Sequence, residues 1–280
     1  MIERRAVGQV KEVTSLANPL VKDIKSLALK KFRDQQNAFM AEGLKLVIDA
    51  LDLGWTINAL IYSKAAKGNP AVEKAAARTV ASGGLVLEAS EKVLSAITRR
   101  DNPQMVIGVF EQRWGRLKDV RPANDDVWVA MDRVRDPGNL GTVIRTADAV
   151  GAKGVILVGD TTDPFAVETV RATMGSIFAV PVVKASEADF LTWRAGFKGL
   201  VVGTHLKGAV DYRTVDYAAR PVLTLMGNEQ QGLPDTLAAV CDRLVLIPQV
   251  GRADSLNLAV ATGVMLFEVR RKALKLGGAS

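Results

Sequence analysis

Apolar residues follow two alternating patterns along the chain, short continuous runs and longer stretches with helical spacing. In the second half the short runs are almost wholly apolar, which is typical of parallel strands covered by helices on both faces. We predict strands there at 127–131, 154–159, 178–183, 199–203, 222–226 and 243–248. Helical segments separate these strands, so the pattern predicts an α/β fold built on a parallel sheet.

The first half carries a similar alternation in a shorter unit. We predict strands at 38–43, 57–63, 85–90 and 105–112, and helices at 15–36, 44–54, 70–84 and 91–98. The first of these helices is amphipathic and carries lysines around its apolar face. The segment 113–126 has no apolar periodicity and contains Pro122, which favours a linker. The predicted organisation is a first domain over 1–112, this linker over 113–126, and a second domain over 127–280.

Charge and reactive side chains narrow the possible functions. The 280 residues carry a formal charge of +7, with a single cysteine and a single histidine. Residues 1–37 hold eight Lys and Arg against four acidic residues, and residues 268–280 hold four against one. Basic ends on a balanced body suit binding to a phosphate backbone, although solvated surface helices would show the same pattern. One cysteine and one histidine leave no Cys- or His-based metal site, so we expect no bound metal.

The lengths of the apolar runs argue against a membrane protein. The longest apolar run, 256–267, has 12 residues, whereas a spanning helix needs about 20. The basic N-terminal residues are not followed by the apolar stretch of a signal peptide. We therefore expect a cytoplasmic protein that has no membrane partner.

Three polar, glycine-bearing segments each follow a predicted strand of the second half. They are DPGNLGTVIRTADA (136–149), LMGNEQQGLP (225–234) and IPQVGRADSLNLAVATG (247–263). Ligands of open α/β sheets bind at the carboxyl ends of strands, so we expect one shared site. The sequence lacks the GxGxxG, GxxxxGK[ST] and GxSxG motifs, which argues against a Rossmann dehydrogenase, a P-loop NTPase and an α/β-hydrolase.

Several polar residues in these segments have both a structural and a functional interpretation. Asn139 is placed where a helix N-cap is expected, and Arg145 lies roughly 140° around that helix from Leu140, away from the apolar face. Taken singly, these two residues are a plain cap and a surface cation. Ser255 is similarly a candidate N-cap of the last helix. Asn257 enters an otherwise apolar helix, where a buried polar group needs a partner.

Taken together, in this order and at this spacing, the three segments resemble the motifs of the SpoU (TrmH-like) class of SPOUT RNA 2′-O-methyltransferases over about 125–275. VTSLANPLVKDIKSL followed by FMAEGLKLV resembles the ribosomal-protein-like substrate-binding domain that often precedes that catalytic domain. The resemblance implies a SPOUT-type trefoil-knotted parallel sheet with helices on both faces, preceded by a smaller α/β/α RNA-binding domain. It also implies a homodimer formed through the last helix.

The resemblance further implies the residues of the site. The family's functional polar residues match Asn139, Arg145, Glu229, Ser255 and Asn257. Its contacts to S-adenosyl-L-methionine match Thr204, Met226, Gly227, Ile247 and Leu256. Two roles for Arg145 stay open: orienting the ribose hydroxyl through an RNA phosphate, which we favour, or acting as a base after strong desolvation. Glu229 is expected to orient Arg145 or Asn139, and His205 is interpreted as a polar loop residue.

The expected function is S-adenosylmethionine-dependent 2′-O-methylation of ribose in ribosomal RNA of the 23S type. A tRNA substrate is the first alternative. A non-catalytic RNA-binding factor of ribosome assembly that retains the fold is a second, and a methyltransferase acting on a base or a protein is a third. The first domain favours ribosomal RNA, by analogy with the family.

Overall fold

The computed structural model describes residues 9–205, 209–218 and 220–275, and the chain divides into two compact units. Unit 1 comprises Met1–Arg113 and Phe165–Phe178, and unit 2 comprises Trp114–Pro164 and Ala179–Ser280. Residues 1–8 of the predicted first domain, with two of its basic residues, lie outside the described residues. No helix of the described ranges is long and apolar enough to cross a bilayer.

The elements are numbered in chain order. The strands of the described residues are β1 (Gln9–Val13), β2 (Ala38–Glu42), β3 (Ile57–Ser63), β4 (Leu85–Ala89), β5 (Val106–Glu111), β6 (Val127–Asp132), β7 (Gly154–Val158), β8 (Val182–Ala185), β9 (Leu200–Thr204), β10 (Val210–Asp211), β11 (Val222–Met226) and β12 (Arg243–Leu246). The α-helices are α1 (Pro19–Ser26), α2 (Lys30–Gln36), α3 (Leu44–Asp52), α4 (Pro70–Ala81), α5 (Glu91–Thr98), α6 (Pro137–Ala149), α7 (Val167–Thr173), α8 (Glu187–Ala195), α9 (Asp235–Ala238) and α10 (Leu258–Arg270).

Unit 1 contains a five-stranded sheet in the order β1-β4-β3-β5-β2. The first three of these strands are parallel, and β5 runs antiparallel to both of its neighbours. The apolar pattern predicts four of the five strands. It misses β1, an edge strand whose sequence QVKEV buries only Val13 and therefore has no apolar run.

The helix predicted at 15–36 is in fact two helices, α1 and α2. Asn18 caps α1 by accepting a hydrogen bond from the Leu20 N–H at 2.9 Å. The guanidinium of Arg33 turns inward and donates to the Leu27 carbonyl at 2.9 Å, between the two helices. Arg33 is thus buried. The expected lysines, by contrast, are exposed on α1 and α2.

The 165–178 segment packs in unit 1, although the sequence places it in the second domain. Phe165 and Phe178 join the aromatic side chains of unit 1, and the ring centroids of Phe165 and Phe39 are 4.8 Å apart. Arg171 of α7 makes a bidentate ion pair with Glu42, at 2.6 and 3.2 Å, and the Glu42 side chain is only 5% exposed. The apolar periodicity of a single helix does not reveal which core receives it, so this assignment depends on tertiary packing.

Unit 2 is built on a seven-stranded sheet in the order β10-β12-β9-β11-β6-β7-β8, and every pair is parallel. Val129 and Ala130 point to opposite faces of β6 and are both fully buried, so both faces of the sheet are covered. The predicted α/β fold with a parallel sheet is confirmed. The largest boundary error concerns the strand predicted at 178–183: β8 begins only after Pro181, a residue without an N–H to donate.

Most of the predicted linker, 113–126, is packed in unit 2. The N–H of Gly115 donates to the Val182 carbonyl at 2.9 Å. Val120 is 5% exposed and lies in the core, and its carbonyl accepts from the indole of Trp193 at 3.2 Å. A short turn that buries so few apolar residues has no periodicity in sequence, which explains why it is interpreted as a linker.

Candidate active site at the carboxyl ends of the parallel strands

The carboxyl ends of β6, β9, β11 and β12 lie side by side in unit 2. Met226 pairs with Met131, Leu225 with Gly203, and Val245 with Thr204. The loops that follow these strands include the three polar segments singled out in the sequence. The sheet topology therefore brings the three segments to one edge, as expected for open α/β sheets.

The first segment forms the whole of α6, and Asp136 rather than Asn139 caps this helix. The carboxylate of Asp136 accepts a hydrogen bond from the Asn139 N–H at 2.6 Å, and Pro137 occupies the first helical position. Proline is favoured there because it needs no hydrogen-bond partner and has a fixed φ. The prediction of Asn139 as N-cap is therefore wrong by one helical turn, and its side chain is left to make contacts beyond the helix.

The Asn139 carboxamide joins all three segments. Its Nδ2 donates to Oε1 of Glu229 at 3.2 Å, and its Oδ1 accepts from Nδ2 of Asn257 at 2.9 Å. These residues are far apart in sequence and come from α6, the loop after β11 and the start of α10. Of the two partners considered for Glu229, the structure selects Asn139.

Glu229 also faces the backbone at the entrance to α6. The N–H groups of Arg135 and Asp136 both lie 3.4 Å from its carboxylate oxygens. The loop that carries Glu229 is tightly closed, because a Cβ on Gly227 would lie 2.2 Å from backbone atoms of Gly232 and Leu233. Only glycine fits at position 227, and the close turn presents the carboxylate to α6.

Asn257 is the N-cap of α10, not a buried residue inside the helix. Its Oδ1 accepts hydrogen bonds from the N–H groups of Ala259 and Val260, at 2.9 and 3.2 Å, and its side chain is exposed. This corrects two expectations, since Ser255 lies exposed in the loop outside the helix and does not cap it. Asparagine suits the position because its oxygen caps the helix while its amide nitrogen donates to Asn139.

Arg145 lies on the solvent side of α6, as the sequence predicts. Leu140, Val143, Ile144 and Ala147 are fully buried, whereas Arg145 is exposed. Among the described residues no hydrogen bond or ion pair holds its guanidinium. Arg145 and Ser255 are thus the two predicted functional residues that the hydrogen-bonded chain of Asn139, Glu229 and Asn257 does not include.

The residues matched to cofactor contacts lie along the same edge. Thr204 and Met226 end adjacent strands, and the Thr204 hydroxyl lies 3.8 Å from the Met226 sulfur. Ile247 directly follows β12, and Leu256 lies half-buried in the loop before α10. His205 donates its backbone N–H to the Val245 carbonyl at 3.0 Å.

Three residues beside this site are absent from the sequence prediction. Asp132 ends β6 and is 1% exposed, and Arg133 grips its carboxylate through Nε and Nη2 at 2.9–3.1 Å. Asn228 donates from Nδ2 to the Arg133 carbonyl at 2.8 Å. Burial raises the pKa of Asp132, and the neighbouring guanidinium opposes that rise. The available signal was a carboxylate directly after the apolar run of β6.

A covered parallel sheet with these polar loops at one edge is the architecture of a SPOUT-type methyltransferase domain. The family model described as the SpoU rRNA Methylase family matches residues 126–267, and an MRM3-like substrate binding domain matches residues 18–108. The chain belongs to the SpoU rRNA methylase family, which confirms the resemblance seen in the sequence.

Individual relatives are similar over nearly the whole chain. The 23S rRNA (guanosine(2553)-2′-O)-methyltransferase RlmP of Bacillus subtilis is 31% identical over 261 residues, 93% of this chain and 100% of that protein. The 23S rRNA (uridine(2479)-2′-O)-methyltransferase of Streptomyces viridochromogenes is 32% identical over 249 residues, 86% of this chain and 85% of that protein. The crystal structure of an AdoMet-bound rRNA methyltransferase from Sinorhizobium meliloti is 64% identical, with a TM-score of 0.91 and coverage of 96% and 100%.

Proposed function

We propose that this protein transfers a methyl group from S-adenosylmethionine to a ribose 2′-hydroxyl of 23S-type ribosomal RNA. The observation that carries the proposal is the hydrogen-bonded chain of Glu229, Asn139 and Asn257, which unites the three polar segments beside an exposed Arg145. Relatives named as 23S rRNA 2′-O-methyltransferases support the choice of ribosomal RNA. The two relatives modify different nucleosides, so the shared fold does not set the target nucleotide.

The edge of the sheet offers groups that fit S-adenosylmethionine. Ile247 and Leu256 are half-buried apolar side chains suited to the face of an adenine, and the Thr204 hydroxyl supplies a polar contact. The turn at Gly227 is closed on the backbone of Gly232 and Leu233, where a Cβ would not fit. We propose that the cofactor is held by Thr204, Met226, Gly227, Ile247 and Leu256. When bound, it supplies a methyl group activated by a positively charged sulfur.

The remaining residues act on the ribose. A 2′-hydroxyl is a weak nucleophile that must lose its proton as it attacks, so developing charge on its oxygen needs stabilisation. Arg145 has no hydrogen-bond or ion-pair partner in the part of the chain that the structure describes, and its planar guanidinium can bind an RNA phosphate in a bidentate manner while facing that oxygen. Asn139 keeps one N–H and one lone pair after bonding Glu229 and Asn257, and these can align the ribose. The rate enhancement then comes mainly from alignment. Ser255, exposed in the loop before α10, is proposed to contact the ribose as well.

Unit 1 is proposed to bind the RNA substrate. The family model that matches it describes a substrate binding domain, and α1 and α2 expose four lysines. These are Lys22, Lys25, Lys30 and Lys31. Phosphate contacts of this kind contribute affinity and register without reading sequence. We also propose a cytoplasmic location, the compartment in which an RNA substrate of this class is expected.

A second copy of the chain is proposed to cover the outer face of α10. Val260 and Phe267 lie on this face and are 53% and 52% exposed, while the opposite side of the helix is buried in unit 2. Two large apolar side chains seven residues apart, on the same stripe of the helix, favour an isologous contact. The trefoil knot of the family likewise stays a prediction for unit 2, supported by a strand order in which β9 lies between β11 and β12.

Mapping ribose methylation in a deletion strain tests the function. We expect one 2′-O-methyl group to disappear from ribosomal RNA and to return when the gene is restored. Loss from a tRNA instead would favour the tRNA alternative. Unchanged methylation of all RNA, together with altered ribosome assembly, would favour the non-catalytic factor.

A further inference from the structure

Hydrogen bonds link three residues beside the proposed active site: Asp132, Arg133 and Asn228. None of these three has a role in the site as proposed above. The connection begins at the Asp132 carboxylate, continues through the backbone of Arg133 and ends at the side chain of Asn228, one residue before Glu229. We refer to these three residues as the Arg133 tether. All of its groups belong to unit 2.

Arg133 is held in a backbone conformation that side-chain-bearing residues rarely adopt. Its φ is +45°, in the left-handed region, which costs free energy unless the surroundings enforce it. Three contacts enforce it. The Arg133 N–H donates to the Val158 carbonyl at 3.0 Å, the guanidinium donates to the Asp132 carboxylate, and the Arg133 carbonyl accepts from Asn228. The neighbouring Gly159 leaves room for this, because a Cβ there would lie 3.1 Å from the Arg133 side chain.

A purely stabilising role does not account for the Asp132–Arg133 pair. Asp132 is almost wholly buried, and the free energy of desolvating a buried ion pair commonly offsets the Coulomb attraction. Burial also raises the pKa of Asp132, which indicates that the charged carboxylate is not favoured by its surroundings. The pair does, however, direct the Arg133 side chain inward and thereby fix the direction of the Arg133 carbonyl.

Asn228 uses both ends of its carboxamide. Its Oδ1 accepts from the backbone N–H of Gln230 at 2.9 Å, and its Nδ2 donates to the Arg133 carbonyl. Its backbone also makes two hydrogen bonds to Gly232, at 2.9 and 3.0 Å. The loop is thereby shaped from within and attached to the segment after β6. Since Glu229 follows directly, the attachment determines where the Glu229 carboxylate meets Asn139.

We infer that Asn228, Asp132 and Arg133 are positioning residues for methyl transfer, which act through Glu229 on the carboxamide of Asn139. The inference takes methyl transfer from the proposed function, but the contacts on which it depends are contacts within this chain. Moving the loop by a few tenths of an ångström would lengthen the Glu229–Asn139 contact, already 3.2 Å, beyond a useful hydrogen bond.

The test compares Asn228→Asp with Gln231→Glu in the full-length protein. Both variants add one negative charge to the same loop, but only Asn228→Asp replaces the donor that faces the Arg133 carbonyl with an acceptor. With saturating RNA and cofactor, we expect Asn228→Asp to slow single-turnover methylation about 10- to 100-fold and Gln231→Glu to leave it within about threefold. In a Glu229→Gln background, the effect of Asn228→Asp should fall below about threefold, because the two act as a unit.

A spectroscopic readout makes the test independent of activity. With ¹⁵N-asparagine labelling, the side-chain amide resonances of Asn139 and Asn257 should shift in Asn228→Asp and stay in place in Gln231→Glu. If Asn228→Asp does not fold, Asn228→Ser keeps an acceptor for the loop but is too short for Arg133. Unmoved Asn139 resonances, or additive effects in the Glu229→Gln background, would overturn the inference. If the wild-type protein methylates no RNA but the Asn139 resonances still shift in Asn228→Asp, the positioning role is upheld and the proposed reaction is rejected.

Discussion

At the scale of single residues, the site combines one constrained amide with one unconstrained cation. The Asn139 carboxamide is held by Glu229 on one side and Asn257 on the other, so its orientation is set before any substrate arrives. Arg145 projects from the exposed side of α6 without a partner among the described residues. A pre-oriented amide costs little reorganisation during the reaction, and an unpaired guanidinium can bind a phosphate without first breaking an ion pair.

Replacing Arg145 tests this division directly. Arg145→Ala should lower the single-turnover rate about 10²–10³-fold, equivalent to about 3–4 kcal/mol of transition-state stabilisation. Its melting temperature should stay unchanged, because an exposed side chain contributes little to folding. Arg145→Lys should recover only part of the rate. The control is Lys198→Ala, an exposed cation at the amino end of β9 and so at the opposite edge of the sheet. A rate for Arg145→Ala within a few-fold of wild type would make Arg145 a surface cation.

Gly227 offers a second test at the residue scale. In Gly227→Ala the new methyl group would lie 2.2 Å from backbone atoms of Gly232 and Leu233, so the turn must open. We expect the affinity for S-adenosylmethionine, measured by calorimetry, to fall about tenfold or more. Gly251→Ala is the matched control, because nothing lies within 4 Å of a Cβ at that position. Equal affinities for the two variants would remove the turn from the cofactor site.

At the scale of elements, the start of α10 serves both stability and the site. Asn257 satisfies two backbone N–H groups of the helix and donates to Asn139 with the other end of the same side chain. The chemistry of helix capping therefore fixes one end of the hydrogen-bonded chain. Because α10 also packs on α6, the two helices that carry Asn257 and Asn139 hold these side chains at a fixed separation.

Two substitutions separate the roles of Asn257. Asn257→Asp keeps the capping oxygen and adds a favourable charge at the helix N-terminus, so its stability should match or exceed that of wild type. It loses the donor to Asn139, and we expect its methylation rate to fall about tenfold or more. Asn257→Ala should slow the reaction similarly and also lose about 1 kcal/mol of stability.

The control for this pair is Asn69→Asp, the same exchange at the N-cap of α4 in unit 1, where Asn69 accepts from the Ala71 N–H at 3.0 Å. Its melting temperature should likewise match or exceed that of wild type, and its methylation rate should be unchanged. Full activity in Asn257→Asp would show that the hydrogen bond to Asn139 is dispensable for the reaction.

At the scale of the whole molecule, two features concern more than the packing of a single sheet. The 165–178 segment leaves unit 2 between β7 and β8 and contributes Phe165 and Phe178 to the core of unit 1. Its bidentate Arg171–Glu42 pair is largely buried, so loss of Glu42 would leave the Arg171 guanidinium without this partner. The second feature is the apolar outer face of α10, which the proposed dimer would cover.

The dimer is tested by charge insertion on that face. The wild-type protein should scatter light as a dimer at micromolar concentration, and Phe267→Glu should scatter as a monomer with an unchanged melting temperature. Burying a carboxylate in an apolar contact costs several kcal/mol, more than such a contact returns. Leu53→Glu is the matched control, because Leu53 in unit 1 is 52% exposed, like Phe267. A wild-type monomer would contradict the proposal outright.

The apolar pattern by itself determined the α/β class, most strand positions and the side of α6 on which Arg145 lies. These features depend on local periodicity, because a strand or helix buries a face that its own sequence defines. The motifs likewise determined the family and the order of the polar segments. A glycine-flanked glutamate and an asparagine at a helix start are visible without knowing what they touch.

Tertiary structure alone decided which of these residues meet. Asn139 bonds Glu229 and Asn257 only because β6, β11 and β12 end at one edge of the sheet, and that order follows from the packing of the whole unit. The true caps, Asp136 and Asn257, depend on where each chain segment enters its helix. The inward turn of Arg33, the tether at Arg133 and the placement of Phe165 in unit 1 have the same origin. Each is a contact between residues distant along the chain or a local geometry imposed by such contacts. The apolar periodicity of the sequence carries no information about either.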